Sequence, residues 1–315
     1  MPDAHRCGFV TIAGRPNAGK STLLNALVET KLAIVACKPQ TTRTTVQGVV
    51  TVPGAQIVFI DTPGIHESDS LINRRMMQTV RGALDQPDLI LYLADATRGF
   101  SPEDAKALAT IRRAREAHPA GAAFLILNKV DLVRDKRELL PLIEKFQAEL
   151  AFDEYIPISA LKKDGVAKLL DTIAARLPEG PPMFPEDYLT DQPERFRAAE
   201  LVREKILRLT RQEVPHAVGV AIEKWEETPR LTRITATVIV ERNGQKAIII
   251  GERGAMLREI GTQARREMEE LFEKRVFLEL FVKVIPNWRE NPSLLNELDW
   301  RSMTGSESES GNLES

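Results

Sequence analysis

Cysteine is scarce, net charge is almost nil and long apolar runs are missing, and each shortage excludes a class of protein. Cys7 and Cys37 are the only two cysteines in 315 residues. Two cannot make a disulfide framework; they suit a reducing compartment, and we expect the cytosol. The formal net charge is −2, so whole-chain charge gives no reason to bind nucleic acid, and any such site must be local. No uninterrupted apolar stretch approaches the roughly 20 residues that span a bilayer. Met1–Arg6 is short and polar, unlike a signal peptide, and no lipidation motif is present. What remains, 43% hydrophobic and 28% charged residues, is ordinary globular composition, enough chain for one large and one small domain.

The two halves carry different periodicities. Between about residues 7 and 177, short apolar runs alternate with amphipathic stretches. Cys7–Ala13, Gln56–Ile60, Leu89–Ala94, Ala122–Leu127 and Tyr155–Ile158 read as buried strands. Lys20–Leu27, Leu71–Leu84, Glu103–Ala117, Arg137–Leu150 and Val166–Leu177 read as helices. This alternation predicts an α/β fold, a mostly parallel sheet covered on both faces, with Val46–Val52 as an antiparallel edge strand. Pro178–Pro185 then holds four prolines and a glycine, which neither a helix nor a central strand tolerates; it reads as an interdomain linker. After it come a helix (Glu194–Thr210), two strands (Ala217–Glu226, Leu231–Glu241), two helices (Gln245–Ile250, Ala255–Glu273) and a strand (Val276–Val284). That αββααβ order predicts a smaller α+β domain. The expected division is 5–178, a linker 179–192, a second domain 193–301 and a disordered Ser/Glu/Gly tail from Ser302 to Ser315.

Gly14-Arg-Pro-Asn17-Ala18-Gly19-Lys20-Ser21 fits G-x-x-x-x-G-K-[ST] and stands where that motif must, after a strand and opening a helix. Its backbone N–H groups and the helix N-terminus favour phosphate, with Ala18 and Thr22 in the same nucleotide-binding stretch. Lys20 is the expected catalytic cation at the β/γ-phosphates, and Ser21 is expected to ligate Mg²⁺. Asp61-Thr-Pro-Gly64 ends the next strand, so Asp61 can reach the Mg²⁺ shell and Gly64 the γ-phosphate. Asn128-Lys129-Val-Asp131 follows another strand. A carboxylate at Asp131 that takes two donors from the base edge selects guanine over adenine. Ser159-Ala160-Leu161 is expected to close the base pocket. Together these motifs predict binding of GTP/GDP with Mg²⁺ and hydrolysis of GTP. A threonine in the loop 38–45 would complete the Mg²⁺ shell and release it after hydrolysis, making the loop a switch; Thr42 is the first choice and Thr41 the second.

Another absence is informative. Ras-type proteins carry a water-positioning Gln directly after Asp-x-x-Gly; here Ile65 stands there and cannot orient water. Slow intrinsic turnover is the expectation, and the neighbouring His66 reads as a solvated loop residue rather than a base.

Taken together, Gly14–Ser21, Gln40-Thr-Thr-Arg43 and Asp61–Gly64 resemble the Era branch of the translation-factor-like GTPases. Glu200 with Arg203-Glu-Lys205, Glu241–Gly251 and Val282–Arg289 resemble the C-terminal domain of that family, so the resemblance covers roughly residues 5 to 300. It implies a P-loop GTPase domain followed by a type II KH domain. It also implies binding to the 3′ region of 16S rRNA, assistance to assembly of the small (30S) subunit, and contact with the inner membrane face, for which the sequence itself holds no amphipathic anchor. The same resemblance assigns a K⁺ ion beside the phosphates to Asn17, where it could supply the charge that an arginine finger supplies elsewhere. Ile285-Pro286 departs from the usual basic continuation of the family.

Gly251-Glu252-Arg253-Gly254 fits the GXXG loop that clamps an RNA backbone and opens a helix whose N-terminus attracts anions. From Arg230 to Glu290 there are 12 Lys/Arg against 9 Asp/Glu, mildly basic and permissive for phosphate contact. Arg258 and Lys283 join the expected RNA site. Ile248, Ile249, Ile250, Met256 and Ile260 are either an apolar platform for bases or helix core. Trp288 with Arg289 either stacks on a base or packs on the domain surface. The leading expectation is a monomeric RNA-binding GTPase whose nucleotide state gates RNA contact. Two others stand beside it: an RNA-binding assembly factor in which GTP is structural, and a signalling GTPase with a protein-binding C-terminal module.

Overall fold

The computed structural model describes residues 5–36, 38, 40–65, 70–118, 121–210, 214 and 218–299. His66, Cys37 and the tail Ser302–Ser315 lie outside the described residues. By contact the chain divides into two units. One comprises Met1–Val35, Thr42–Ser68 and Arg75–Asp191; the other comprises Ala36–Thr41, Asp69–Arg74 and Gln192–Ser315.

The first unit is built on strands β1 (Arg6–Gly14), β2 (Val46–Val52), β3 (Ala55–Asp61), β4 (Leu89–Asp95), β5 (Ala122–Asn128) and β6 (Glu154–Pro157), in the order β2-β3-β1-β4-β5-β6. All neighbours are parallel except β2, which runs antiparallel to β3 as the edge strand expected at Val46–Val52. Every residue of β4 and β5 is buried, because helices cover both faces and no position of a central strand can be polar cheaply. On one face α1 (Lys20–Leu27) and α5 (Val166–Arg176) set Leu23, Leu24, Leu169 and Ile173 against Ile12, Ile57 and Leu91. On the other, α2 (Leu71–Ala83), α3 (Pro102–Ala117) and α4 (Leu139–Glu149) set Val80, Leu108, Ile111 and Phe146 against Ala13, Tyr92 and Leu125. Each such side chain taken fully from water contributes about 1.5–3 kcal/mol.

The proline-rich stretch is held along this same unit. Cys7 N–H donates to the Pro178 carbonyl and Gly180 N–H to that of His5. Gln56, fully buried in β3, accepts from the N–H groups of Met183 and Phe184 and donates to the Phe184 carbonyl at 2.9 Å. Farther on, Val49 N–H donates to Leu189 O, and the Thr190 hydroxyl donates to Gln47 O.

The second unit has the αββααβ order: α6 (Glu194–Leu209), β7 (Gly219–Glu227), β8 (Thr232–Val240), α7 (Asn243–Ile250), α8 (Ala255–Phe272) and β9 (Val276–Val284), followed by a short α9 (Pro292–Glu297) that the sequence pattern had not indicated. The sheet order is β7-β8-β9, with β8 antiparallel to β7 and parallel to β9, since the α7–α8 crossover allows a parallel return. Ile260, Ala264, Met268 and Phe272 make the buried stripe of α8 at four-residue spacing. β9 alternates: Leu280 packs beside Gly261 of α8, while Phe277, Glu279, Phe281 and Lys283 are exposed.

Candidate nucleotide and RNA sites

The strand-to-helix turn between β1 and α1 is shaped by its glycines. Gly19 sits at φ 101°, and a Cβ there would meet Asn128 Nδ2 at 2.3 Å, so only glycine lets the first guanine-motif residue come this close. Asn128 uses the proximity twice: Nδ2 donates to Ala18 O and Oδ1 accepts from Ala160 N–H, both at 2.9 Å. One buried amide therefore ties the phosphate loop, the end of β5 and the Ser159–Leu161 turn together. Lys129 stands in the left-handed region at φ 67° and sends Nζ to Asn17 O at 2.8 Å and to Asp95 Oδ2 at 2.7 Å. Asp131 and Leu161 are exposed beyond this knot, whereas Ser159 and Ala160 are buried and Thr22 is half-buried on α1.

Lys20 is buried, with Nζ donating to the carbonyls of Gly14 at 3.2 Å and Arg15 at 2.9 Å. Burial lowers its pKa to about 8, against the opposing charge of Asp61. Burial likewise raises Asp61 to about 6, although the Lys20 charge and hydrogen bonds from Ser21, Thr62 and Thr42 act in the other direction. The Ser21 hydroxyl donates to Asp61 Oδ2 at 2.6 Å and lies 2.8 Å from Thr42 Oγ1. Three oxygens from three segments thus converge. Asp61 Oδ1 is buried and has no hydrogen-bond partner, which leaves a costly bare acceptor inside the cluster. The Thr41 hydroxyl is turned away, donating to Ala36 O and Lys38 O. Gly64 lies against Pro16. Ile65 N–H donates to Gly14 O at 3.3 Å, and its side chain is buried with Ala13, Val80 and Leu84.

In the second unit, Gly251-Glu-Arg-Gly254 forms an exposed turn between α7 and α8. Gly251 is at φ 70° and Gly254 at φ 78°, flanking Arg253 at φ 50°; three left-handed residues in four explain the glycine pair. Glu252, Arg253 and Arg258 are exposed, and Ile250 and Met256 are half-buried beside the turn. Ile249 and Ile260 are fully buried, hence core, while Ile248 is 36% exposed. One expected RNA contact is corrected. Trp288 is 0% exposed, its ring packed beside Gly219 of β7, so it is a core residue and not a stacking platform. Lys283 is exposed on the face of β9 opposite α8, because strand side chains alternate. Arg289, next to Trp288, is held by Glu241 through two bonds of 3.0 and 2.8 Å.

Sequence reasoning missed several residues. Arg15 reaches Ser101 and Asp104 at the start of α3, and Asp95 holds Lys129. In the second unit, buried Arg203 pairs with Glu200 and donates to the backbone carbonyls of Gln40 and Thr41. Arg15 lies inside the phosphate-loop motif, and Glu200 and Arg203 lie in a stretch that resembles the Era C-terminal domain, but motif spacing assigned them no role; Asp95 and Asp104 stand outside every such motif. The available signals were an arginine inside a phosphate loop and an aspartate ending an otherwise apolar strand.

Comparison with known proteins gives a family for each unit. Residues 9–129 match the family model described as a 50S ribosome-binding GTPase, and residues 213–289 match a KH domain model. GTPase Era of Syntrophus aciditrophicus (strain SB) is 46% identical over 297 residues, covering 94% of this chain and 95% of that protein. GTPase Era of Geotalea daltonii is 47% identical over 294 residues, covering 93% and 97%. Among solved structures, a variant of Aquifex aeolicus Era bound to GDP.AlF4− superposes with a TM-score of 0.88 at 40% identity, covering 94% of this chain and 99% of that one. Era in complex with MgGDPNP and nucleotides 1506–1542 of 16S ribosomal RNA gives 0.89 at 40% identity, with the same coverage. A P-loop GTPase unit on a mostly parallel sheet, a following type II KH domain and relatives alike over nearly their whole length place this chain in the GTPase Era family, as a protein that binds and hydrolyses GTP.

Proposed function

We propose that this GTPase binds the 3′ region of 16S rRNA through its Gly251–Gly254 turn and assists assembly of the small ribosomal subunit in the cytoplasm, with its nucleotide state gating the RNA contact. The observation that carries the reading is the exposed glycine turn at the head of α8, in a chain that is 40% identical over 94% of its length to an RNA-bound Era. The family model that names the 50S particle covers residues 9–129 only, so the relative carrying RNA of the small subunit weighs more. Gly251, Glu252, Arg253, Gly254, Ile250, Met256 and Arg258 form the proposed RNA surface.

Ser21, Thr42 and Asp61 would hold Mg²⁺, and the bare buried oxygen of Asp61 fits a cation ligand. When bound, the ion neutralises charge on the β- and γ-phosphates. Lys20 binds the same phosphates, Asp131 selects guanine, and Thr42, the residue after Thr41, carries the loop into the GTP-bound arrangement. The half-exposed Asn17 side chain is the group offered to K⁺.

The test is binding of a fluorescent RNA matching the 3′ end of 16S rRNA, with GDP and with a non-hydrolysable GTP analogue, for the full chain and for Gly254→Asp. Tighter binding with the analogue, lost in the variant, is the expected result. Binding indifferent to both nucleotide and variant would remove the RNA site and the gating together.

A further inference from the structure

Arg15 is the one basic residue inside the phosphate loop other than Lys20, and its guanidinium is spoken for. Only 10% of the side chain is exposed. Nη1 donates to Ser101 Oγ at 2.7 Å, and Nε lies 3.3 Å from Asp104 Oδ1. Asp104 is itself buried and fixed from three other directions. It accepts from Ser101 N–H at 3.0 Å, from Ser101 Oγ at 2.8 Å and from the buried Tyr92 hydroxyl at 2.8 Å. These contacts are also the N-terminal cap of α3, which begins with Pro102. The same residue turns its main chain the other way: the Arg15 carbonyl accepts Lys20 Nζ at 2.9 Å.

We propose that Arg15 is a positioning residue for GTP hydrolysis: the cap of α3 clamps its side chain, and the clamped residue presets Lys20 for the β/γ-phosphates. The inference rests on the GTPase activity of the family and is independent of the RNA reading. A planar fork held by a hydroxyl and a carboxylate inside the protein loses little entropy on ordering, and a buried charge so paired is expensive to uncouple. The clamp therefore commits Arg15 away from the phosphates. It does not supply the positive charge that the reaction develops against, even though it stands two residues from Asn17.

Steady-state GTP hydrolysis and GDP affinity of the full chain carrying Arg15→Gln, Asp104→Asn, Tyr92→Phe and the double change Arg15→Gln/Asp104→Asn test the proposal. Arg15→Gln lowers kcat roughly ten- to hundredfold, the scale of a small misplacement of a catalytic group, with much less effect on GDP affinity. Asp104→Asn lowers kcat in the same way, the double variant is no slower than the worse single, and Tyr92→Phe gives a smaller loss. Arg15→Lys restores kcat only in part, because an ammonium lacks the fork. Two outcomes overturn the proposal. A loss of about 10³-fold or more in Arg15→Gln, with Asp104→Asn unchanged or faster, would make Arg15 an arginine finger. A lowered unfolding temperature with normal kcat per GDP-binding site would make the clamp a stability feature alone.

Discussion

Lys129 Nζ sits 2.7 Å from Asp95 Oδ2 while also donating to the carbonyl of Asn17. The guanine motif is thus anchored by the carboxylate at the end of β4 and in turn steadies the tip of the phosphate loop. Burial pushes the Asp95 carboxyl up, but the Lys129 and Thr97 hydrogen bonds outweigh it and hold the group below the ordinary carboxylate range. Asp95→Asn keeps the shape and removes the charge. Guanine-nucleotide affinity should fall about ten- to a hundredfold, the worth of a charge-assisted hydrogen bond of roughly 1.5–3 kcal/mol, as read by titration of a fluorescent GDP. The pH dependence has a definite sign. Because the folded-state pKa is depressed, the stabilisation is complete above the unfolded carboxylate value and is lost as pH falls through the folded one. Thermal unfolding midpoints of the parent chain between pH 6 and about 3 should therefore drop more steeply than those of Asp95→Asn; parallel curves would exclude the charge as the cause.

The convergence of Ser21, Thr42 and Asp61 makes nucleotide retention depend on a divalent cation. Chelation of Mg²⁺ should accelerate release of bound GDP, and Ser21→Ala should show the fast release even with Mg²⁺ present, since one ligand oxygen is gone. Stopped-flow displacement of a labelled GDP measures both. Release indifferent to the chelator would dissolve the proposed Mg²⁺ site while leaving the phosphate loop intact.

Trp288 separates a structural from a recognition role. With the side chain fully buried, Trp288→Ala should destabilise its unit by about 3–5 kcal/mol, the usual loss for a large core aromatic. In a urea titration this appears as an earlier transition for the second unit. Under conditions where that unit stays folded, RNA affinity should match the parent. A stable variant with weakened RNA binding would restore the stacking role.

The parts of the site that were legible in the sequence are those whose spacing is covalent. Gly14 to Ser21 and Asp61 to Gly64 each carry their chemistry within a few residues of a strand end, so the strand–loop–helix pattern was enough to orient them. Asp95 was illegible because its partner comes from registration: Asp95 pairs with Asn128 across the parallel β4–β5 ladder, and only that alignment puts the carboxylate beside Lys129. Arg15 and Asp104 lie 89 positions apart and meet because α3 starts where β1 ends. Trp288 stood equally well for a stacking platform or a core residue, since a lone aromatic after a strand does not reveal what its ring meets. The short helix α9 has an Asn291-Pro292 start, with the Asn291 side chain accepting from Ser293 and Leu294, but its six residues are too few to build a periodic pattern.

The strap formed by residues 178–190 has a consequence for how this chain avoids its own copies. β2 is the outermost strand of a six-stranded sheet, and such a strand offers a row of unsatisfied amides and carbonyls to any neighbouring chain. Here Leu189 takes the Val49 amide and Thr190 takes the Gln47 carbonyl, while Gln56 grips the approach at Met183 and Phe184. A fragment cut at Pro178 would bare that row and invite strand-by-strand polymerisation, whereas one continued to Asp191 keeps the edge sealed. The prolines that break regular structure in the sequence thus lead in a segment that covers the β2 edge against addition of a foreign strand.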